Sequence, residues 1–152
     1  MSKQSNIETQ QKMGEAVNQG KLEVFHEVFA ANVKDHDPAP DQGQGPEGFI
    51  SFFTDMRSAF PDLEVAVENM VADDEQVAIA YTITGTHKGK FLDIPPTNKR
   101  IKARGVQIAK FKDAKIVERW GSSDELGILK QIGDVKGVQS TTETPAITGK
   151  TA

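Results

Sequence analysis

From Leu63 to Ser123 apolar and polar residues alternate through four segments joined by short links. "LEVAVENMVA" passes through the acidic turn Asp73-Asp74-Glu75 into "QVAIAYTITGTHKG". After the Pro-Pro loop of "KFLDIPPTNK" come "RIKARGVQIAKF" and "KIVERWGSS", parted only by Lys112-Asp-Ala-Lys115. A period of two sends successive side chains to opposite faces, so each segment reads as a half-buried strand. Strands in series with links this short pair antiparallel, because a parallel crossover consumes a dozen or more residues.

Helical spacing flanks this block. Ile7, Met13 and Val17 make a weak stripe from Asn6 to about Asn18, and Asn18-Gln-Gly20 breaks it. "KLEVFHEVF" puts Leu22, Phe25 and Phe29 on one face of a second, short, buried helix. "NVKDHDPAPDQGQGPEG" is loop chemistry, with a short edge strand expected around Val33. Pro46 suits the first turn of a helix, where its missing N–H has no partner. "EGFISFFTDMRSAF" then supplies Phe49, Ile50, Phe53, Met56 and Phe60 at three- and four-residue steps, up to Pro61. Asp124 to Ile132 returns to helical spacing, with Asp124 as N-cap. Helices gathered on one face of an antiparallel sheet make an α+β domain. A curved sheet wrapped round a long helix leaves a cone-shaped pocket. The domain is expected over 1–133. The Ser-, Thr- and Gly-rich segment 134–152 is expected to be a polar, disordered tail.

Composition narrows the function classes. Zero Cys excludes a disulfide framework, a thiolate zinc site and a cysteine nucleophile. A formal net charge of −4 lacks the basic footprint of nucleic-acid binding. No apolar run has the length of a signal peptide core or a membrane span, which leads to an expected cytoplasmic location with no membrane partner. No phosphate-binding loop or Gly-x-Ser-x-Gly elbow is present.

"FLDIPPTNKRIKARGVQIAKF" followed by "KIVERWGSSDELGILKQIG" resembles the SnoaL-like family of polyketide and ester cyclases within the NTF2-like superfamily. The resemblance covers roughly Ile7 to Gly133. Its most specific pieces are Ile94-Pro-Pro-Thr97, the Lys115-Ile-Val-Glu118 strand ahead of Trp120, and Leu126-Gly127 running into Leu129-Lys-Gln-Ile-Gly133. The resemblance implies an NTF2-like cone and aldol cyclisation without metal or cofactor, by a pocket Asp on the last strand helped by a His. Carried over by position, that Asp lands on Gly121, the His on Gln107 and a further polar pocket position on Gly105. A glycine cannot transfer a proton, so the expected acid is missing from its usual place.

Other residues are candidates to work at that wall. If Gly121 faces the cavity, alternation turns Val117 and Arg119 inward and Ile116, Glu118 and Trp120 outward. On the preceding strand Gly105 and Gln107 turn inward, while Val106 and Ile108 turn outward. The outward set, with Ile116 and Trp120, suits a homodimer contact. Arg119 either pairs with a carboxylate near the rim or presents its planar donors to a ligand carboxylate or enolate. The resemblance implies that the strand and loop after the second helix reach the pocket mouth, which makes His36 the candidate proton carrier, with Asp124 as a second candidate. Tyr81 and Ser123 are candidate hydrogen-bond donors to a ligand. A metal site from Asp35, His36 and Asp37 is disfavoured, since neighbouring strand residues face opposite ways. His26 and His87 read as structural. Three functions stay open: a cofactor-free cyclase or isomerase acting on a small apolar carbonyl compound, a non-catalytic pocket for such a compound, and a dimeric association module.

Overall fold

The computed structural model describes residues 2–133; the tail expected over 134–152 lies outside the described residues. Helix α1, Lys3–Gln19, starts in a capping box between Ser2 and Ser5 and stops at Gly20, whose φ of 74° closes the last turn. A 3₁₀ turn, Leu22–Val24, leads into the four-residue α2, Phe25–Val28, and the strand β1, Phe29–Asp35. Helix α3, Gly45–Ala59, carries Pro46 in its first turn and buries Phe49, Met56 and Ala59. Strands β2, Glu64–Ala72, β3, Gln76–Thr86, β4, Arg100–Lys112, and β5, Lys115–Ser123, follow in series, and α4, Glu125–Ile132, closes the domain. This is the expected α+β arrangement.

The sheet order is β1-β5-β4-β3-β2. The four long strands pair antiparallel as their links require. Asp113 and Ala114 both have positive φ, 53° and 61°, the conformation of a two-residue hairpin loop. Strand β1 adds to the far edge parallel to β5, setting Lys34 beside Glu118 and Asp35 beside Arg119. The alternation predicted no such parallel pair, because it joins residues more than eighty positions apart.

Helices and sheet meet over an aromatic core. The rings of Phe29 and Phe49 stack at 4.2 Å, and Phe25 packs edge-on against Phe29 at 5.3 Å. Phe25 and Phe60 are fully buried, each stabilising the fold by about 1.5–3 kcal/mol. Helix α4 docks through Ile128 and Ile132, while Gln131 takes the N–H and the carbonyl of Lys102. The Pro-Pro loop is tied down by His87, which is fully buried and whose Nδ1 accepts the N–H of Thr97 at 3.2 Å. No described helix is long and apolar enough to cross a membrane.

Two expectations are corrected here, the first being Phe29, which opens β1 instead of continuing the second helix. The second is Ile116. The β4–β5 pairing slips between Lys110 and Phe111: Lys110 faces Glu118, and Phe111 faces Ile116. Val117 is the extra residue of a bulge, and an extra residue reverses the parity of what precedes it. Ile116 therefore points into the core, fully buried, rather than onto the outer face.

Candidate ligand site on the inner face of the sheet

On the helix-covered face, register brings a few polar side chains together. Tyr81 lies opposite Gly105, and Gln107 lies between Ile79 and Gly121. Neither glycine leaves an empty space. A methyl group on Gly105 would sit 2.5 Å from the Tyr81 Oη, and one on Gly121 would sit 2.5 Å from Arg119 Nη2. The phenol and the guanidinium lie where Cβ atoms would otherwise be.

Arg119 is held from two sides. Its Nε donates to Gln107 Oε1 at 3.0 Å, and the amide of Gln107 reaches Gln10 on α1 at 3.5 Å. Its Nη1 donates to Asp35 Oδ1 at 3.0 Å and to the carbonyl of Asp37 at 3.5 Å. Asp35 also accepts from the Asp37 N–H and from Gln42 Nε2, each at 3.0 Å. The Arg119 and Asp35 side chains are only 17% and 8% exposed. A shielded pair of this kind contributes little net stability, because desolvation offsets the attraction, but it fixes where the guanidinium points. Among the described residues, Arg119 Nη2 and the Tyr81 hydroxyl donate to no partner. Burial pushes the Tyr81 phenol above its ordinary pKa, and the charge of Arg119 pulls it partly back.

This end of the inner face is open. Val67 faces inward opposite Tyr81 yet is 45% exposed, so the helices do not cover it. A groove of about 620 Å³ runs between α1, at Gln10, Gly14 and Asn18, and β2, at Val65, Val67 and Met70; neither Arg119 nor Tyr81 lines it. A methyl on Gly14 would meet nothing within 4 Å. Gln10 belongs both to the groove wall and to the chain of hydrogen bonds ending at Asp35.

The structure does not bring His36 to this group. Asp35 turns inward, so the next residue turns outward. His36 Nε2 meets Glu118 Oε1 at 2.8 Å, and its ring stacks on Trp120 at 4.6 Å, 3° from parallel. That hydrogen bond holds the Glu118 carboxyl below its usual range. His36 is thus corrected from the pocket mouth to the outer face. Asp124 is the N-cap of α4: its Oδ1 accepts from the Gly127 N–H at 2.9 Å. With Gly105 and Ser123, and beside Arg104, Val106 and Ser122, it lines a separate groove of about 420 Å³. Ser123 pairs with Gly105 in register and is exposed. Among the described residues, no three His, Asp or Glu side chains converge as a metal site. Gln10 and Gln42 carry no signal in the sequence, and Asp35 and Asp37 enter its reading only as members of the disfavoured metal set. Only the alternation of "KDHD" held a signal, since it turns Asp35 to the face opposite His36.

The chain as a whole has relatives among known proteins. Residues 7–132 match the family model described as SnoaL-like polyketide cyclase. The aklanonic acid methyl ester cyclase DauD of Streptomyces sp. (strain C5) is 26% identical over 135 residues, covering 84% of this chain and 81% of that one. Among solved structures, IdmH from Streptomyces antibioticus superposes with a TM-score of 0.75 at 28% identity, covering 85% of this chain and 99% of that one. TsrD from Streptomyces laurentii shares the fold, with a TM-score of 0.81 at 21% identity over 89% of this chain and 99% of that one.

Proposed function

The chain belongs to the SnoaL-like polyketide cyclase family, and from that premise we propose that the inner face of its sheet, over Tyr81 and Arg119, takes a small, largely apolar carbonyl compound. Arg119 Nη2 and the Tyr81 hydroxyl donate to the carbonyl oxygen, and Gln107 with Asp35 keeps the guanidinium aimed. The reaction the site suits is cofactor-independent enolisation, with cyclase- or isomerase-type chemistry following from it. Donors fixed before the ligand arrives stabilise charge that develops on an oxygen, without having to reorganise. The description of the matching family, SnoaL-like polyketide cyclase, supports a polyketide-like ligand class.

One observation carries the reading. Three donors of Arg119 are committed to the protein at 3.0 to 3.5 Å, while Nη2 lies over Gly121 with no partner among the described residues. A second reading, binding without turnover, is favoured by the absence of an ionisable side chain at either 107 or 121.

Thermal unfolding with 2-tetralone, 1-indanone and acetophenone tests the proposal. A ligand present at a hundredfold excess over its Kd adds about 2.7 kcal/mol of stability. At least one ketone should raise the Tm of the wild-type chain. Arg119→Lys, which keeps the charge but loses the planar fork, and Tyr81→Phe should each abolish most of that rise. No rise with any of the three, or an undiminished rise in both variants, contradicts the proposal.

A further inference from the structure

We propose that Asp37 is the proton acceptor of this site; the inference rests on the carbonyl-binding reading above. Its Oδ2 accepts the Gly121 N–H at 2.8 Å. The guanidinium of Arg119 lies over the same residue, with Nη2 at 2.5 Å from the point a Cβ would occupy. A carboxylate and an unspent cationic donor therefore flank one glycine. Removing a proton beside a carbonyl needs this combination, a base next to the group that holds the oxygen.

Its neighbours are committed elsewhere. Asp35 takes hydrogen bonds on both oxygens, from Arg119, Asp37 N–H and Gln42. Asp124 caps α4, and Glu118 and His36 face each other across the sheet's outer side. Asp37 is exposed, and its Oδ1 accepts nothing from the described residues. The loop that carries it is braced: the Ala39 N–H donates to Gln42 Oε1, and Gln42 Nε2 donates to Asp35, each at 3.0 Å. The Asp37 carbonyl in turn receives Arg119 Nη1. Base and guanidinium are thus positioned through the same few bonds.

In the step assigned to Asp37, a C–H bond adjacent to the bound carbonyl breaks and its proton passes to Oδ1, forming a neutral carboxyl. The electron pair becomes the C=C bond of an enolate whose oxygen stays on Arg119 Nη2 and the Tyr81 hydroxyl. Return of a proton from the same carboxyl restores the ketone, so the step consumes no oxidant, reductant or co-reactant.

Deuterium uptake tests it. The 152-residue chain is incubated with 2-tetralone in D₂O, and exchange beside the carbonyl is followed by proton NMR, with ligand-induced Tm measured in parallel. The wild-type chain should accelerate exchange. Asp37→Asn, which keeps an oxygen for the Gly121 N–H, should slow it about 100-fold or more, the usual loss on removing a general base. The Tm rise should persist in that variant, and Asp37→Glu should recover part of the rate. Exchange at the wild-type rate in Asp37→Asn overturns the proposal, as does wild-type binding of 2-tetralone without any acceleration. Failure of the wild-type chain to bind the ketone at all defeats the carbonyl-binding reading instead, and this inference with it.

Discussion

Arg119 can lie flat along its own strand because the residue two positions on is glycine. With a side chain at 121, the guanidinium would have to leave the surface it now covers, since even a methyl would stand 2.5 Å from Nη2. Gly105 makes the matching allowance for Tyr81. Tyr81 is the only tyrosine in the chain, which makes the phenol a clean reporter. Its pKa is raised chiefly by burial. A raised folded-state value means that stability is intact below the ordinary tyrosine pKa of about 10 and is lost as pH rises through the folded-state value. Ultraviolet titration of the folded chain should give a phenolate midpoint above about 10. Tyr81→Phe should remove that alkaline loss of stability. A midpoint at or below the ordinary value would mean the phenol is solvated and not set against the sheet.

Strand β5 shows what an alternating pattern conveys and what it leaves out. The alternation correctly turned Arg119 inward and Glu118 and Trp120 outward. It failed at Ile116, because a single inserted residue at Val117 carries no compositional mark, and a bulge is fixed by partners across the ladder. The same limit explains His36 and Asp37. The sequence shows a polar loop, but which residue faces the site depends on the parallel pairing of β1 with β5, a contact between distant segments. Gly121 and Gln107 were readable as places without an acid. The guanidinium filling the space beside them was not, because side-chain direction follows from Gln107 and Asp35 together. Burial of Ile116 makes a definite forecast: Ile116→Ala should cost about 2–5 kcal/mol in urea unfolding. A change within about 0.5 kcal/mol, as for a surface substitution, would return Ile116 to the outer face.

For the molecule as a whole, the two faces of the sheet divide the work. The inner face carries the core and the groove. On the outer face Val106 and Ile108 are 57% and 43% exposed beside Trp120, with Lys110 and Glu118 at one end and Arg104 and Glu68 at the other. An apolar centre bordered by charges of both signs is the anatomy of a two-fold contact, and we propose that a second copy of the chain covers it. Light scattering should give a dimer mass for the wild-type chain and a monomer mass for Val106→Asp combined with Ile108→Asp. A wild-type monomer at micromolar protein would rule this out.

The central claim is that a carbonyl oxygen sits on the unspent donor edge of Arg119. The most direct measurement is the ¹³C resonance of a carbonyl-labelled 2-tetralone bound to the chain. Hydrogen bonds from a guanidinium and a phenol should move it downfield of its position in water for the wild-type complex, and Arg119→Lys should return much of that displacement. A bound resonance at or upfield of the free position, or one that is equally displaced in Arg119→Lys, would contradict the account.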